Sequence, residues 1–149
     1  MPDFLETTLD KFTFKVATDR FYTAEGIWAK EENGRVRIGL SDFVQQRSGD
    51  VAFAEVKPAG TVLVAGEEFA VIETIKVNVT HTSPVSGKIV EVNPTLNDAP
   101  EAINQDPHGS GWLAVMEVAN WVTERAKLLD PQAYFKIVKG QAEEDTKKP

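Results

Sequence analysis

Few residues of this chain could perform chemistry, and the most informative of them is a lysine, Lys76. The 149 residues include no cysteine and only two histidines, His81 and His108. The lack of cysteine excludes disulfides, zinc–thiolate sites and cysteine nucleophiles. Neither histidine has a second ligand at helical or finger-like spacing, so we interpret both as surface or turn residues rather than as metal ligands. No serine lies in the strand–turn–helix elbow that presents a hydroxyl nucleophile.

Lys76 stands between two extended segments that are rich in β-branched residues. Gly66 lies ten residues before it and Gly87 eleven residues after it. This near-symmetry predicts that two strands turn back on each other at the lysine. We expect its amine to be exposed at a bend, near the Glu73 carboxylate, and well presented for covalent modification. The local pattern alone also fits an ordinary surface lysine.

Composition bounds the possible partners. Hydrophobic residues make up 42% of the chain and charged residues 26%, as in a soluble globular domain. The net charge of −7 argues against a nucleic-acid partner, since phosphate binding needs a basic face. No apolar run approaches the roughly 18 residues of a membrane span. The acidic start, MPDFLE, does not resemble a signal peptide, so we expect a cytoplasmic protein without a membrane partner.

Most of the chain has the pattern of short strands separated by turns. Asn33 and Gly34 lie between two alternating segments and predict a tight β-hairpin. Ser41 is placed to cap a short helix that Gly49 ends. Short strands followed by terminal helices predict a mainly β barrel or sandwich edged by helices.

Only the C-terminal region has a helical pattern. Asn120 predicts the start of a helix over residues 121–129, and Asp130 predicts a second helix through Val138. Gly140 is the expected end of that helix. The polar residues 140–149 are then expected to form a flexible tail.

Several segments together resemble the H protein of the glycine cleavage system, a family of lipoyl carriers. The resemblance runs from about Tyr22 to Tyr134 and includes Thr23 and Trp28. Its landmarks, in order, are residues 36–42 (VRIGLSD), 49–55 (GDVAFAE), 65–69 (AGEEF), 71–76 (VIETIK), 83–93 (SPVSGKIVEVN), 109–113 (GSGWL) and 130–134 (DPQAY). The ordered set is far more specific than any single piece.

The resemblance implies a mainly β, barrel-sandwich hybrid fold with short helices and a C-terminal helical segment. It also implies lipoate in amide linkage to Lys76, with Glu73, Gly66 and Gly87 contributing to recognition of the modification site. We expect three parts: an N-terminal extension (1–21), a lipoyl-carrier domain (22–139) and the polar tail (140–149). Biotin carriers usually have methionine on both sides of the modified lysine, whereas the residues beside Lys76 are isoleucine and valine, which favours lipoate.

The implied function is that of a non-catalytic carrier with a swinging arm. It would move an aminomethyl group and reducing equivalents between glycine decarboxylase, aminomethyltransferase and dihydrolipoamide dehydrogenase. A lipoate ligase or lipoyl transferase would attach the group.

One departure from the family pattern opens an alternative. The family usually has a His-Glu pair before the tryptophan that matches Trp28, and Gly26 and Ile27 stand there instead. We expect Ile27 beside the arm, where it suits a neutral cargo better than a cationic amine. An H-like paralogue that carries sulfur in a heterodisulfide-reductase-like oxidation pathway is therefore an alternative.

The second alternative is an unmodified interaction module. Its anchors would be three large aromatic residues, Trp112, Trp121 and Tyr134. Large aromatic side chains are mostly buried, so we expect these three to pack in the core or against helices.

Overall fold

The computed structural model describes residues 3–146, which form short β-strands and helices in a mainly β fold. The strands are β1 (Phe4–Leu9), β2 (Phe12–Ala17), β3 (Phe21–Tyr22), β4 (Ile27–Glu32), β5 (Arg35–Leu40), β6 (Val51–Val56), β7 (Val62–Leu63), β8 (Glu68–Thr74), β9 (Asn78–Thr82), β10 (Gly87–Val92) and β11 (Ala114–Glu117). The helices are α1 (Asp42–Ser48), α2 (Thr95–Asp98), α3 (Ala102–Gln105), α4 (Trp121–Arg125) and α5 (Pro131–Thr146).

The strands form three antiparallel sheets. One has six strands in the order β3-β4-β5-β11-β10-β7, one has three in the order β6-β8-β9, and β1 and β2 form a separate hairpin. The predicted hairpin is confirmed, because Glu32 of β4 pairs with Arg35 of β5. Asn33 and Gly34 between them have φ of 52° and 82°, the left-handed conformation that a two-residue hairpin turn requires.

The six-stranded and three-stranded sheets share one hydrophobic core, as alternating strands with one apolar face require. The first sheet contributes Ile27, Ile38, Leu63, Ile89 and Met116, and the second contributes Val51, Phe69, Ala70 and Ile72. The predicted fold class, mainly β with short helices and a C-terminal helix, is confirmed.

A second core lies between the β1–β2 hairpin, α1 and α5. The rings of Tyr22 and Tyr134 stack with centroids 4.5 Å apart, and Phe14 packs edge-on against Phe43 at 5.2 Å. The Tyr134 hydroxyl is 2.7 Å from the Ser41 hydroxyl at the start of α1. The hairpin belongs to the predicted N-terminal extension. The three-part division itself stays a prediction.

The predicted helix starts are confirmed by their caps. Ser41 accepts a hydrogen bond from the Val44 N–H at 3.3 Å, Asn120 from Thr123 at 3.2 Å, and Asp130 from Ala133 at 2.8 Å. Two predicted helix ends are wrong. The helix after Asn120 already ends at residue 125.

Within residues 3–146, no helix is both long and apolar enough to cross a membrane.

The last helix passes through Gly140, where the sequence predicted its end. Tyr134, Val138 and Ala142 recur every four residues and are all buried in the second core. That apolar stripe continues the helix to Thr146, because burial outweighs the local preference of glycine for a helix end. Residues 140–146 of the predicted tail are therefore helical, and residues 147–149 lie outside the described residues.

Because α5 passes through Gly140, alanine substitutions at Gly140 and at Gly34 should have opposite effects on stability. A Cβ added at either position would meet no atom within 4 Å, so the backbone conformation alone decides the effect. Gly140→Ala should raise the free energy of unfolding by about 0.5–1 kcal/mol, because alanine is the better helix former. Gly34→Ala should lower it by about 1–2 kcal/mol, because its φ is left-handed. Urea denaturation measures both; a destabilising Gly140→Ala would contradict the continuous helix.

Candidate functional site

Lys76 lies in the three-residue connection between β8 and β9. Strand β8 ends at Thr74 and β9 begins at Asn78, and their last paired residues are Glu73 and Asn78. The flanking side chains of Ile75 and Val77 are 77% and 48% exposed, and Lys76 is exposed between them. None of the ion pairs in the described part of the chain includes Lys76. The predicted bend is thus confirmed, with the lysine at its tip.

The hydroxyl of Thr74 organises the bend. It donates a hydrogen bond to the Val77 carbonyl at 2.9 Å and accepts from the backbone N–H groups of Lys76 at 3.2 Å and Val77 at 3.0 Å. The Thr74 N–H also donates to the Val77 carbonyl at 2.8 Å. One side chain therefore satisfies both backbone donors that the bend would leave open. The sequence prediction did not single out Thr74, although threonine at a strand end is a known turn signal.

The bend is also attached to the end of α1. The Ile75 N–H donates to the Asp50 carbonyl at 3.2 Å. A Cβ added at Gly49 would lie 3.5 Å from Cδ and Cε of Lys76, so the lysine stem passes over this glycine. Asn104 holds the same segment: it donates to the Gly49 carbonyl at 2.9 Å and accepts from the Val51 N–H at 2.9 Å. Two elements outside the hairpin thereby fix its tip.

The predicted recognition residues do not all lie near Lys76. Glu73 is half-buried in the second-last position of β8, where it pairs with Asn78 and with Phe53 of β6. Gly66 precedes β8 and Gly87 begins β10. The seven residues of β8, which span roughly 20 Å, separate both glycines from the bend at Lys76. The structure brings Glu73 to the bend and leaves both glycines remote from it.

Gly26 and Ile27 are both enclosed. Gly26 has φ of 91°, and an added Cβ would collide with Val44 and lie 2.7 Å from the Tyr134 hydroxyl. Ile27 has no exposed surface and packs in the core shared by the two sheets. The expectation that Ile27 stands beside the arm is therefore wrong, because the β4 register directs its side chain inward.

Both histidines have shifted pKa values for a physical reason unrelated to metal binding. His81, on β9, is only 6% exposed, so its interpretation as a surface residue is wrong, whereas His108 lies in a turn as expected. The pKa of each is lowered to about 4, by burial for His81 and by burial together with the Arg20 guanidinium for His108. Among residues 3–146, no group of three or more histidine, aspartate or glutamate residues is arranged to hold a metal.

The three aromatic residues of the interaction-module alternative pack as expected. Tyr134 is buried, and Trp112 and Trp121 are partly buried against the two cores. Arg37 also lies over the Trp112 ring at 4.4 Å. These contacts leave little aromatic surface free to anchor a partner.

Comparison with known proteins gives a consistent result. The family model "Glycine cleavage H-protein" matches residues 20–141. The glycine cleavage system H protein of Stenotrophomonas maltophilia (strain K279a) is 47% identical over 108 residues, which are 72% of this chain and 82% of that protein. The glycine cleavage system H protein of Thermus thermophilus is 37% identical over 127 residues, which are 85% of this chain and 98% of that protein.

A solved structure supports the same relationship. The crystal structure of a glycine cleavage system H protein from Mycobacterium marinum is similar with a TM-score of 0.73 at 31% sequence identity. The match covers 80% of this chain and 95% of that chain. The rest of this chain lies outside that match.

Replacing Thr74 tests how the bend is held. Thr74→Val keeps the β-branched shape and removes the hydroxyl, so hydrogen exchange of the Lys76 and Val77 amides should become faster. Both amides would then bond to water, and the loss of stability should be only about 1 kcal/mol. Thr74→Ser keeps the hydroxyl and should exchange like the parent protein. Equal exchange in the valine and serine variants would contradict this role.

Burial of His81 predicts a pH dependence of stability. Between pH 6.5 and about 4 the unfolded chain binds a proton at this residue that the folded chain does not. The stabilisation is therefore complete above pH 6.5 and is lost as the pH falls toward the folded pKa. Between pH 7 and pH 5, the free energy of unfolding should fall by roughly 2 kcal/mol less in the His81→Gln protein than in the parent protein. Urea denaturation at the two pH values measures this difference. An identical pH profile in both proteins would contradict a buried neutral imidazole.

Proposed function

The chain belongs to the glycine cleavage H-protein family, and from this premise we propose that Lys76 is the residue that carries its lipoyl group. Its family and the names of its relatives support a carrier role in glycine cleavage, and we propose lipoate as the carried cofactor. The observation that supports Lys76 most directly is its exposed position on a bend fixed by the Thr74 hydroxyl. Residues 71–76 also lie within the matched span.

The residues around Lys76 fit an amide-linked lipoyl group. An attaching enzyme must reach the amine, and Lys76 is exposed and free of ion pairs within the described chain. Ile75 and Val77 beside it are exposed and apolar, which suits contact with an apolar group. When bound, lipoate supplies a disulfide ring that accepts electrons and a carried group, chemistry that a chain without cysteine does not offer.

The protein's own contribution is to present and position that group. A fixed bend keeps the lysine accessible in one orientation, so partner enzymes meet the same surface each time. We propose that the chain does no bond-making itself and serves glycine decarboxylase, aminomethyltransferase and dihydrolipoamide dehydrogenase in the cytoplasm. The sulfur-carrier and unmodified-module alternatives are not favoured, since the relatives are named glycine cleavage H proteins.

We propose different roles for the predicted recognition residues. Glu73 lies at the bend and presents a half-buried carboxylate to a lipoate ligase or lipoyl transferase. Gly66 and Gly87 act from the far end of the hairpin. Gly66 has φ of 94°, and a Cβ at Gly87 would collide with the Glu117 carbonyl of β11. Both therefore support the hairpin's attachment to the fold and have no direct contact with the attaching enzyme at the lysine.

Intact mass after enzymatic lipoylation tests the proposed site. A lipoate ligase with lipoate and ATP should add one lipoyl group to the parent protein, and Lys76→Arg should abolish the gain because the amine at the tip of the β8–β9 bend is lost. Lys57→Arg is the matched control, since Lys57 is also exposed at a turn that follows a strand of the same sheet. It should be lipoylated like the parent.

A second measurement tests the function of the loaded protein. The lipoylated parent should support glycine decarboxylation when it is mixed with the three partner enzymes, and Lys76→Arg should not. Full lipoylation of Lys76→Arg would refute the site. A lipoylated parent that supports no aminomethyl transfer would refute the glycine cleavage role.

A further inference from the structure

The register of the β1–β2 hairpin decides which backbone groups its two outer edges present. The Thr18 N–H donates to the Asp3 carbonyl at 2.9 Å, one residue before Phe4 pairs with β2. Hydrogen-bonded and non-hydrogen-bonded pairs alternate along an antiparallel ladder, and this one continues to the turn without a register shift. Phe4, Glu6 and Thr8 therefore stand in non-hydrogen-bonded pairs, with their N–H and C=O groups directed away from β2.

The outer edge of β2 is covered by side chains of α1. The Lys15 N–H donates to the Asp42 carboxylate at 2.9 Å, and the Gln46 side-chain amide donates to the Thr13 carbonyl at 2.9 Å. Lys15 and Thr13 both belong to non-hydrogen-bonded pairs, so these two bonds agree with the alternation along the ladder. The helix thus satisfies outward groups of β2 and blocks a further strand on that side.

The outer edge of β1 has no such cover. Among residues 3–146, no hydrogen bond reaches the outward N–H and C=O groups of Phe4, Glu6 and Thr8, and no strand pairs with β1 except β2. Natural proteins commonly protect an edge strand with proline, lysine or a bulge. The β1 sequence, FLETTL, contains neither of those residues, and its pairing with β2 has no bulge. This edge is therefore competent to accept another strand.

Contacts with the rest of the fold hold the β1 edge in place. Leu5 and Leu9 pack against the second core, and the Phe4 ring contacts the His108 ring with centroids 5.6 Å apart. A two-stranded hairpin is only marginally stable alone, so these contacts fix the backbone that an incoming strand would meet. Leu5 and Leu9 are only partly buried, and apolar side chains on the same face of an added strand would cover them further.

The charge of the edge selects its occupant. Glu6, the middle of the three outward residues, carries the only charge of β1. Its side chain is 54% exposed, and the Lys15 ammonium lies 4.0 Å away on a side chain that is 50% exposed. In a two-fold pairing of β1 with a second copy over all three residues, Glu6 would face Glu6, and like charges directly opposite are destabilising. Each copy also has a net charge of −7. The edge therefore favours a partner strand with a basic residue opposite Glu6.

We propose that the outer edge of β1 docks an extended segment of a partner protein by strand addition. The segment pairs antiparallel to β1, places lysine or arginine opposite Glu6, and turns apolar side chains toward Leu5 and Leu9. Main-chain hydrogen bonds to the three outward residues supply affinity in this mode of recognition, and the alternating side chains supply specificity. Strand β1 precedes the span that matches the family model, residues 20–141, and the site does not involve Lys76. It therefore adds a binding surface that is independent of the proposed modification.

Titration of the isotope-labelled full-length protein with a synthetic peptide, followed by NMR, tests the site. The probe is the capped peptide Val-Thr-Val-Lys-Val-Thr-Val, whose central lysine can pair with Glu6. The amide signals of Phe4, Glu6 and Thr8 should shift. The same peptide with glutamate in place of lysine should bind about threefold more weakly or worse, because like charges then face each other.

Two proline variants form a matched pair. Thr8 and Thr13 are cross-strand partners with hydroxyls 2.9 Å apart, and both are exposed. Thr8→Pro removes an N–H from the outer edge of β1 and should weaken peptide binding about fivefold or more. Thr13→Pro removes an N–H from the outer edge of β2, loses the same hydroxyl contact and should bind the peptide like the parent. Thermal melting verifies that both variants fold.

A charge swap does not depend on either proline variant: Glu6→Lys should reverse the preference and bind the glutamate peptide more tightly. Unshifted β1 amides at millimolar peptide, or equal affinity of the two peptides for the parent, would overturn the docking site. A parent protein that dimerises in sedimentation and becomes monomeric on Thr8→Pro would overturn it too, because a second copy would then be the occupant. All these measurements use protein without lipoate, so their failure would leave the proposed function standing.

Discussion

The hydrogen bonds of the Thr74 hydroxyl are the constraint on which the proposed carrier site at Lys76 depends. A three-residue connection between paired strands leaves backbone donors without strand partners, and without the hydroxyl these groups would bond to water in many conformations. Thr74 binds two of them and the Val77 carbonyl at once. Lys76 consequently projects from one backbone conformation, and most of the freedom that remains lies in its own side chain.

The position of that bend depends on contacts that begin at the C-terminal helix. Tyr134 of α5 contacts the hydroxyl of Ser41, and Ser41 also caps α1. The end of α1 is Gly49, over which the Lys76 stem passes. Helix α5 therefore helps to position Gly49, the residue over which the Lys76 side chain passes. The second core is linked to the bend in this way, although it contains no residue of β8 or β9.

The sequence predicted the elements whose signals are local. Asn33 with Gly34, and the caps Ser41 and Asp130, depend on backbone conformations and side-chain oxygens that a few neighbouring residues determine. The bend at Lys76 followed from flanking strand patterns in the same way. The assignment of lipoate to Lys76 came from the family resemblance, since the local pattern equally fits a surface lysine.

The predictions from the sequence were wrong where contacts between residues far apart in the sequence determine the structure. The end of α5 was placed at Gly140 because glycine favours helix ends, whereas buried Ala142 continues the helix. Strand β1 was missed because half of its residues are exposed and its partners are β2 and α5. His81 was taken for a surface residue by its type, yet the burial pattern of β9 places it on the inward face with Val79. That alternation was readable in the sequence.

The same inward alternation bears on position 27, where this chain departs from the family pattern. Ile27 is directed into the main core while its neighbour Trp28 is buried in the second. An ionised carboxylate at position 27 would be buried without a partner, at a cost of several kcal/mol. A histidine at position 26 would occupy the space where Tyr134 meets Ser41. The contacts of Val44 and Tyr134 at Gly26 leave no room for a side chain there, and the main core accommodates the apolar side chain of Ile27. The proposed carrier role therefore depends on the Lys76 bend, and the side chain of Ile27 belongs to the packing of the core.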